Sequence, residues 1–124
     1  MQQLALIAAG GATGALLRYW MSGGIHAVLG RGFPYGTLSV NVIGSFAMGL
    51  LYVYVSERLE ISEESRALLG IGLLGAFTTF STFSIETLNL IEAGKFPEAL
   101  LNIFLSVFLC LGACWLGLML GRQV

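Results

Sequence analysis

Residues 77–84 read Phe-Thr-Thr-Phe-Ser-Thr-Phe-Ser and lie inside a long apolar stretch. Hydroxyls packed this densely compete for backbone groups and loosen a helix. Irregular backbone at membrane depth survives only where it is buried in protein or lines a wet cavity. Phe80 and Phe83 are three positions apart and project from neighbouring points of one helix face. The face of an aromatic ring is negative and its edge positive. Two ring edges beside hydroxyls can help replace the water around a small anion; the plain alternative for such a pair is core packing. Other polar side chains sit at comparable depth. Thr37, Asn41 and Ser45 recur every four residues on one helix face, and Asn102, Ser106 and Cys110 recur in the same way on another. Interhelical hydrogen-bond glue, at about 0.6 kcal/mol per contact, accounts for Ser45, Asn102 and Cys110. Asn41 is different: its amide can donate two N–H bonds to an ion, and leaving them idle in lipid is costly.

These groups need elements to hold them. The chain has 124 residues, of which 56% are hydrophobic and 10% charged, and it contains no Asp. A helix needs roughly 20 apolar residues to cross a hydrocarbon core about 30 Å thick. Segments 4–29, 35–56, 66–91 and 99–120 meet that need. The expected fold is therefore an all-α membrane protein with four transmembrane helices, a single domain over residues 1–124. The third helix should break near its middle, at the hydroxyl-rich run. The N-terminus does not read as a cleavable signal, because no Lys or Arg precedes the first apolar stretch. Pro34 and Pro97 suit first helical turns, and Gly30 and Gly94 suit helix stops. Ser62 followed by Glu63 and Glu64 reads as a helix cap with acids in the first turn. Gly23-Gly24 is a place for the first helix to bend or end early.

Loop Lys and Arg set membrane orientation. With four spans, one face carries Arg58, Arg66 and Arg122, and the other carries Arg31 and Lys95. Three against two is almost no bias. The expectation is insertion in both orientations and pairing as an antiparallel homodimer, with a single conventional topology as the alternative. Small residues four apart, Gly10/Gly14, Ser45/Gly49 and Gly117/Gly121, allow close backbone approach. Such pairs serve packing within one subunit as well as between two.

Arg18 lies inside the first segment, where an Arg costs about 2.5–3.5 kcal/mol on insertion scales. An ionisable group at that depth is a candidate functional residue. It can draw an anion into a vestibule, bond to backbone carbonyls, or snorkel toward the surface. Glu86 stands at a pore mouth or at the membrane interface. Cys110 and Cys114 are too few for a four-ligand metal site and read as apolar filler. His26 reads as an interfacial polar residue. No ring of carboxylates is available for cation passage, and no enzymatic activity is expected.

Three motifs then carry a resemblance. Gly10-Gly-Ala-Thr-Gly-Ala-Leu-Leu-Arg-Tyr19, Gly36-Thr-Leu-Ser-Val-Asn-Val-Ile-Gly44 and Gly75-Ala-Phe-Thr-Thr-Phe-Ser-Thr-Phe83 resemble the Fluc family of bacterial fluoride channels, in order and over the whole chain. The resemblance implies a passive, fluoride-selective channel in the bacterial cytoplasmic (inner) membrane. It would export fluoride that enters as neutral hydrogen fluoride and ionises inside, and so relieve fluoride toxicity. It implies an antiparallel, dual-topology homodimer with two pores along the subunit interface. The family's pore Asn falls on Asn41, its pore phenylalanines on Phe80 and Phe83, and its pore hydroxyls on Thr37, Ser81, Thr82 and Ser106. Its first-helix Arg falls on Arg18 and its mouth acid on Glu86. A structural sodium ion at the dimer two-fold would take the main-chain carbonyls of Gly75 and Thr78. The implied partners are fluoride, sodium, a second copy of the chain and the lipid bilayer, with no nucleic acid.

The sequence departs from the family in the fourth-helix track, where only Ser106 carries over, and at Gly75-Ala76, where the family has Gly-Gly. The competing reading is a small dual-topology multidrug-type exporter, which would need an acid in the first helix where Arg18 stands. A third is an assembly subunit without transport.

Overall fold

Lipid offers no hydrogen-bond partner, so an apolar chain in it must satisfy its own backbone, and a helix does this locally. Of 102 backbone hydrogen bonds, 89 lie within helices. The computed structural model covers Met1–Val124. Four helices are long and apolar enough to cross a membrane: Gln2–Leu29, Tyr35–Glu57, Glu63–Glu92 and Phe96–Gln123. Only 21 of 124 residues are buried, so the large apolar side chains mostly face outward. Leu16, Trp20, Phe104, Leu111 and Trp115 are all exposed. That pattern fits a chain whose surroundings are lipid.

Two seams hold the bundle together, and both depend on missing side chains. The first helix lies along the first half of the third span. A Cβ on Gly10 would strike the Leu68 carbonyl, and one on Gly14 the Leu73 carbonyl. The second helix lies along the last. A Cβ on Gly49 would strike the Cys114 carbonyl, and one on Gly117 the Phe46 carbonyl. Backbone meets backbone at each point, the close approach that small residues permit in membranes. Gly10/Gly14, Gly49 and Gly117 thus serve packing within one chain.

Several helix ends fall where the sequence places them. The Ser62 hydroxyl accepts from the Ser65 N–H at 3.2 Å. Gly30 and Gly94 end helices with φ of 85° and 79°. Pro97 sits in the first turn of the last helix, and Pro34 immediately precedes the second. The first helix does not end early at Gly23-Gly24 but continues to Leu29. The i→i−4 ladder continues there at the modest entropic cost of two glycines. Another feature goes beyond the expected spans. Val53–Glu57 and Ala67–Leu74 are π-helical, wound one residue wider than α. The second stretch leads into the short α-helical piece Gly75–Phe77, after which the third span breaks.

A broken helix between two cavities

The break is two residues long. Thr78 (φ −91°, ψ 156°) and Thr79 (φ −153°, ψ 121°) are extended, and Phe80–Glu92 resumes as α-helix. Several polar groups at the break have a traceable fate. The Thr78 N–H and hydroxyl both donate to the Leu74 carbonyl, at 3.2 and 3.0 Å. The Thr79 N–H donates instead to Asn41 Oδ1 at 2.8 Å, and Asn41 Nδ2 donates to the Thr79 carbonyl at 2.9 Å. The Asn41 side chain thus pairs with Thr79 as a neighbouring strand would. The Thr79 hydroxyl accepts from the Thr82 N–H at 3.2 Å and caps the second half-helix. Arg18 Nε donates to the Ala76 carbonyl at 2.9 Å, which satisfies one carbonyl of the first half. The N–H groups that would serve the Gly75 and Thr78 carbonyls in an unbroken helix, those of Thr79 and Thr82, are thus engaged elsewhere.

Cavities lie on both sides of Thr79. One, of about 360 Å³, is lined by Arg18, Ser22, His26, Arg31, Thr37, Thr79 and Thr82. The other is an open groove of about 480 Å³ with Asn41, Thr78, Thr79, Phe80, Phe83 and Ser106 on its walls. The Thr37/Asn41/Ser45 face is therefore split: Thr37 looks into the first space, Asn41 and Ser45 into the second. Phe80 and Phe83 are tilted neighbours with centroids 5.2 Å apart, and Phe80 is 77% exposed in the single chain. Ser81 is exposed, with its hydroxyl 3.1 Å from that of Thr79. Ser106 is buried against the groove, where it donates to Asn102 at 3.4 Å. Asn102 in turn donates to the Thr87 hydroxyl at 2.9 Å, which fastens the second half-helix to the last helix. It is interhelical glue, as the sequence suggests.

A third space, of about 240 Å³, adjoins the first through shared His26 and Arg31 and adds Glu86, Asn89 and Lys95. Glu86 Oε1 is buried there without a hydrogen-bond partner. His26, in the last turn of the first helix, is buried within the chain at 8% exposure, with Nδ1 3.2 Å from the Gly30 carbonyl. Arg18 and Arg31 and the imidazole thus line the first space, and Arg31 and the imidazole also line the third. The sequence reading missed two residues here. Thr79 touches both cavities, whereas the motif points to Thr78. Arg31 reads in the sequence only as a loop charge, although its place five residues past His26, just beyond the helix end, is a usable signal.

The arrangement can lead an anion through donors and positive charge up to a point where a helix N-terminus begins. It offers no reacting pair of side chains.

The comparisons with known proteins agree in extent. The family profile described as CrcB-like protein, Camphor Resistance (CrcB), matches residues 5–118. A Magnetococcus marinus protein named fluoride-specific ion channel FluC is 54% identical over 122 residues, covering 98% of this chain and 99% of that one. A Geobacter sulfurreducens protein of the same name is 49% identical over 124 residues, covering the whole of both. One from Coxiella burnetii is 49% identical over 120 residues, covering 96% of this chain and 97% of its own length. With a profile match from the first helix to the last, and about half of its residues identical end to end to those of relatives named fluoride-specific ion channel FluC, the chain belongs to the CrcB family.

Proposed function

We propose that this protein is a passive, fluoride-selective channel that lets cytoplasmic fluoride leave across the inner membrane. The observation that carries the reading is the break at Thr78-Thr79, stitched to Asn41, between a cationic cavity and a phenylalanine-walled groove. Fluoride is small and strongly hydrated, so a path must replace its water with donors. Hydroxyls at Thr37, Ser81, Thr82 and Ser106, the second N–H of Asn41 and the ring edges of Phe80 and Phe83 can do so in succession. Arg18, held by its Nε on Ala76, keeps its terminal nitrogens for the cavity. Glu86 and Arg31 stand at the mouth. The relatives' name, fluoride-specific ion channel, supports the choice of ion.

The working unit in this reading is an antiparallel homodimer with two pores. The even charge balance of the loops favours it. So does the open groove, which one chain leaves unroofed, with Phe80 standing exposed at its edge. The carbonyls of Gly75 and Thr78 have lost their helical donors to side chains, and Gly75 is exposed. Carbonyls freed at a helix break fit a small hard cation, as in selectivity filters. A sodium ion bound between two copies would supply positive charge near the anion path. The chain's part is to hold those carbonyls out of helical pairing: Asn41 does so for Gly75 by taking the Thr79 N–H, and the Thr79 hydroxyl does so for Thr78 by taking the Thr82 N–H.

The test is ion efflux from liposomes holding the purified protein. Fluoride should leave quickly and chloride should stay. Chloride efflux at a comparable rate would remove the assignment.

A further inference from the structure

We infer that Cys110, Cys114 and Met48 form a binding site for a soft, thiophilic metal ion in the wall of the groove. In sequence the two cysteines are a lone pair one helical turn apart, with the third sulfur far away in the chain. In the fold all three line the same 480 Å³ groove. Residues four apart on a helix share a face with Cβ atoms about 5–6 Å apart, a spacing one metal ion can bridge. The glycine seam brings the partner helix close at this level, because the Cys114 carbonyl abuts the space above Gly49, next to Met48. Ser45 faces Cys110 one turn further along. Both cysteines are free and half-buried, so neither is tied up in a disulfide nor sealed in the core.

The ligand set selects the class of ion. Thiolates with a thioether suit soft ions and suit hard ones poorly. Zinc in a structural site wants four ligands of the Cys/His kind, and no cluster of three or more His, Cys, Asp or Glu exists here. Charge narrows the class further. A divalent soft ion that displaces the protons of both thiols gives a neutral dithiolate, two protons passing to water. A neutral complex suits a groove that has Phe80, Phe83, Val107 and Leu111 in its wall and no charged side chain. The thioether of Met48 then adds a third, weaker bond. The same groove holds Phe80, Phe83 and Ser106, so an ion seated there stands in the proposed fluoride path. That blocking effect rests on the channel reading; the binding itself does not.

Mercuric ion is the probe. Titrated into purified full-length protein in detergent, it should bind at one per chain, with a near-ultraviolet mercury–thiolate band and loss of both free thiols. Cys110→Ser and Cys114→Ser should each weaken binding at least tenfold against a competing thiol, and Met48→Leu several-fold. Zinc should not compete. Two mercuric ions per wild-type chain, or single-serine variants that bind as tightly as wild type, would overturn the shared site. An unchanged Met48→Leu affinity would overturn the third ligand. In liposomes, mercuric ion should stop fluoride efflux and excess thiol should restore it, each variant being compared with its own untreated rate. One-to-one binding with unaltered efflux would leave the metal site standing and instead count against the groove as the fluoride path.

Discussion

Asn41 does two jobs that usually fall to different residues. It spans the break by pairing with both polar groups of Thr79, and it keeps one N–H for the groove. Asn41→Asp keeps the acceptor for the Thr79 N–H but loses the donor to its carbonyl and adds a negative charge beside an anion path. We expect fluoride efflux from liposomes to fall by an order of magnitude or more. Asn41→Ala leaves both Thr79 groups unpaired, at about 1–3 kcal/mol each, and should lower the thermal unfolding midpoint as well. Phe80→Ile separates flux from folding in another way. Phe80 is exposed in the chain and contributes little to its core, so efflux should drop while the unfolding midpoint stays close to wild type. An equal loss in both measurements would mean that Phe80 is packing, not path. At this scale the sequence displayed Asn41, Phe80, Phe83 and Ser106, which the fold brings to one groove. It did not display Thr79 as the joint, because that depends on which peptide Asn41 faces across the bundle. Nor did it expose Met48, whose meaning arises only from the neighbours that the glycine seam brings to it.

The third span works as two half-helices that share one membrane crossing. The first is anchored by glycine contacts to the first helix, the second by Asn102 and Thr87 to the last. Removing the cap that starts the second half, by Thr79→Ala, should cost about 1 kcal/mol. Denaturant or thermal unfolding in detergent would register it. Gly14→Leu is harsher. Its side chain would meet the Leu73 carbonyl and the Phe77 N–H, both backbone, so neither can swing aside. We expect little monodisperse protein on size exclusion, whereas Gly112→Ala, with nothing near its Cβ position, should behave as wild type. The four spans, their stops and the place of the break were legible, because lipid imposes length and hydrophobicity so strictly. The π-helical turns were not. They have the same composition as α-helix and differ only in how backbone carbonyls choose their partners, which packing decides.

Taken whole, the molecule presents lipid-type surface on most sides and fastens its ends with charge. Arg122 forms a two-pronged pair with Glu57, at 3.0 and 2.8 Å, and Arg58 donates to the Arg122 carbonyl at 3.2 Å. These contacts put the second loop and the C-terminus at one end, as four crossings require. Both partners are partly exposed, so Arg122→Ala should leave the unfolding midpoint close to wild type. Labelling a C-terminal tag from either side of sealed vesicles should find it on both; a tag on one side alone would refute dual insertion. The π-helical stretch Ala67–Leu74 lies between two fixed points, the Ser62 cap and the Asn41-held Thr79. A helix wound wide stores slack. Slack of this kind is where a lineage can gain or lose one residue and still deliver the same peptide to the same partner. Length differences of a single residue among kindred chains should therefore gather in 67–74, and not around 75–84.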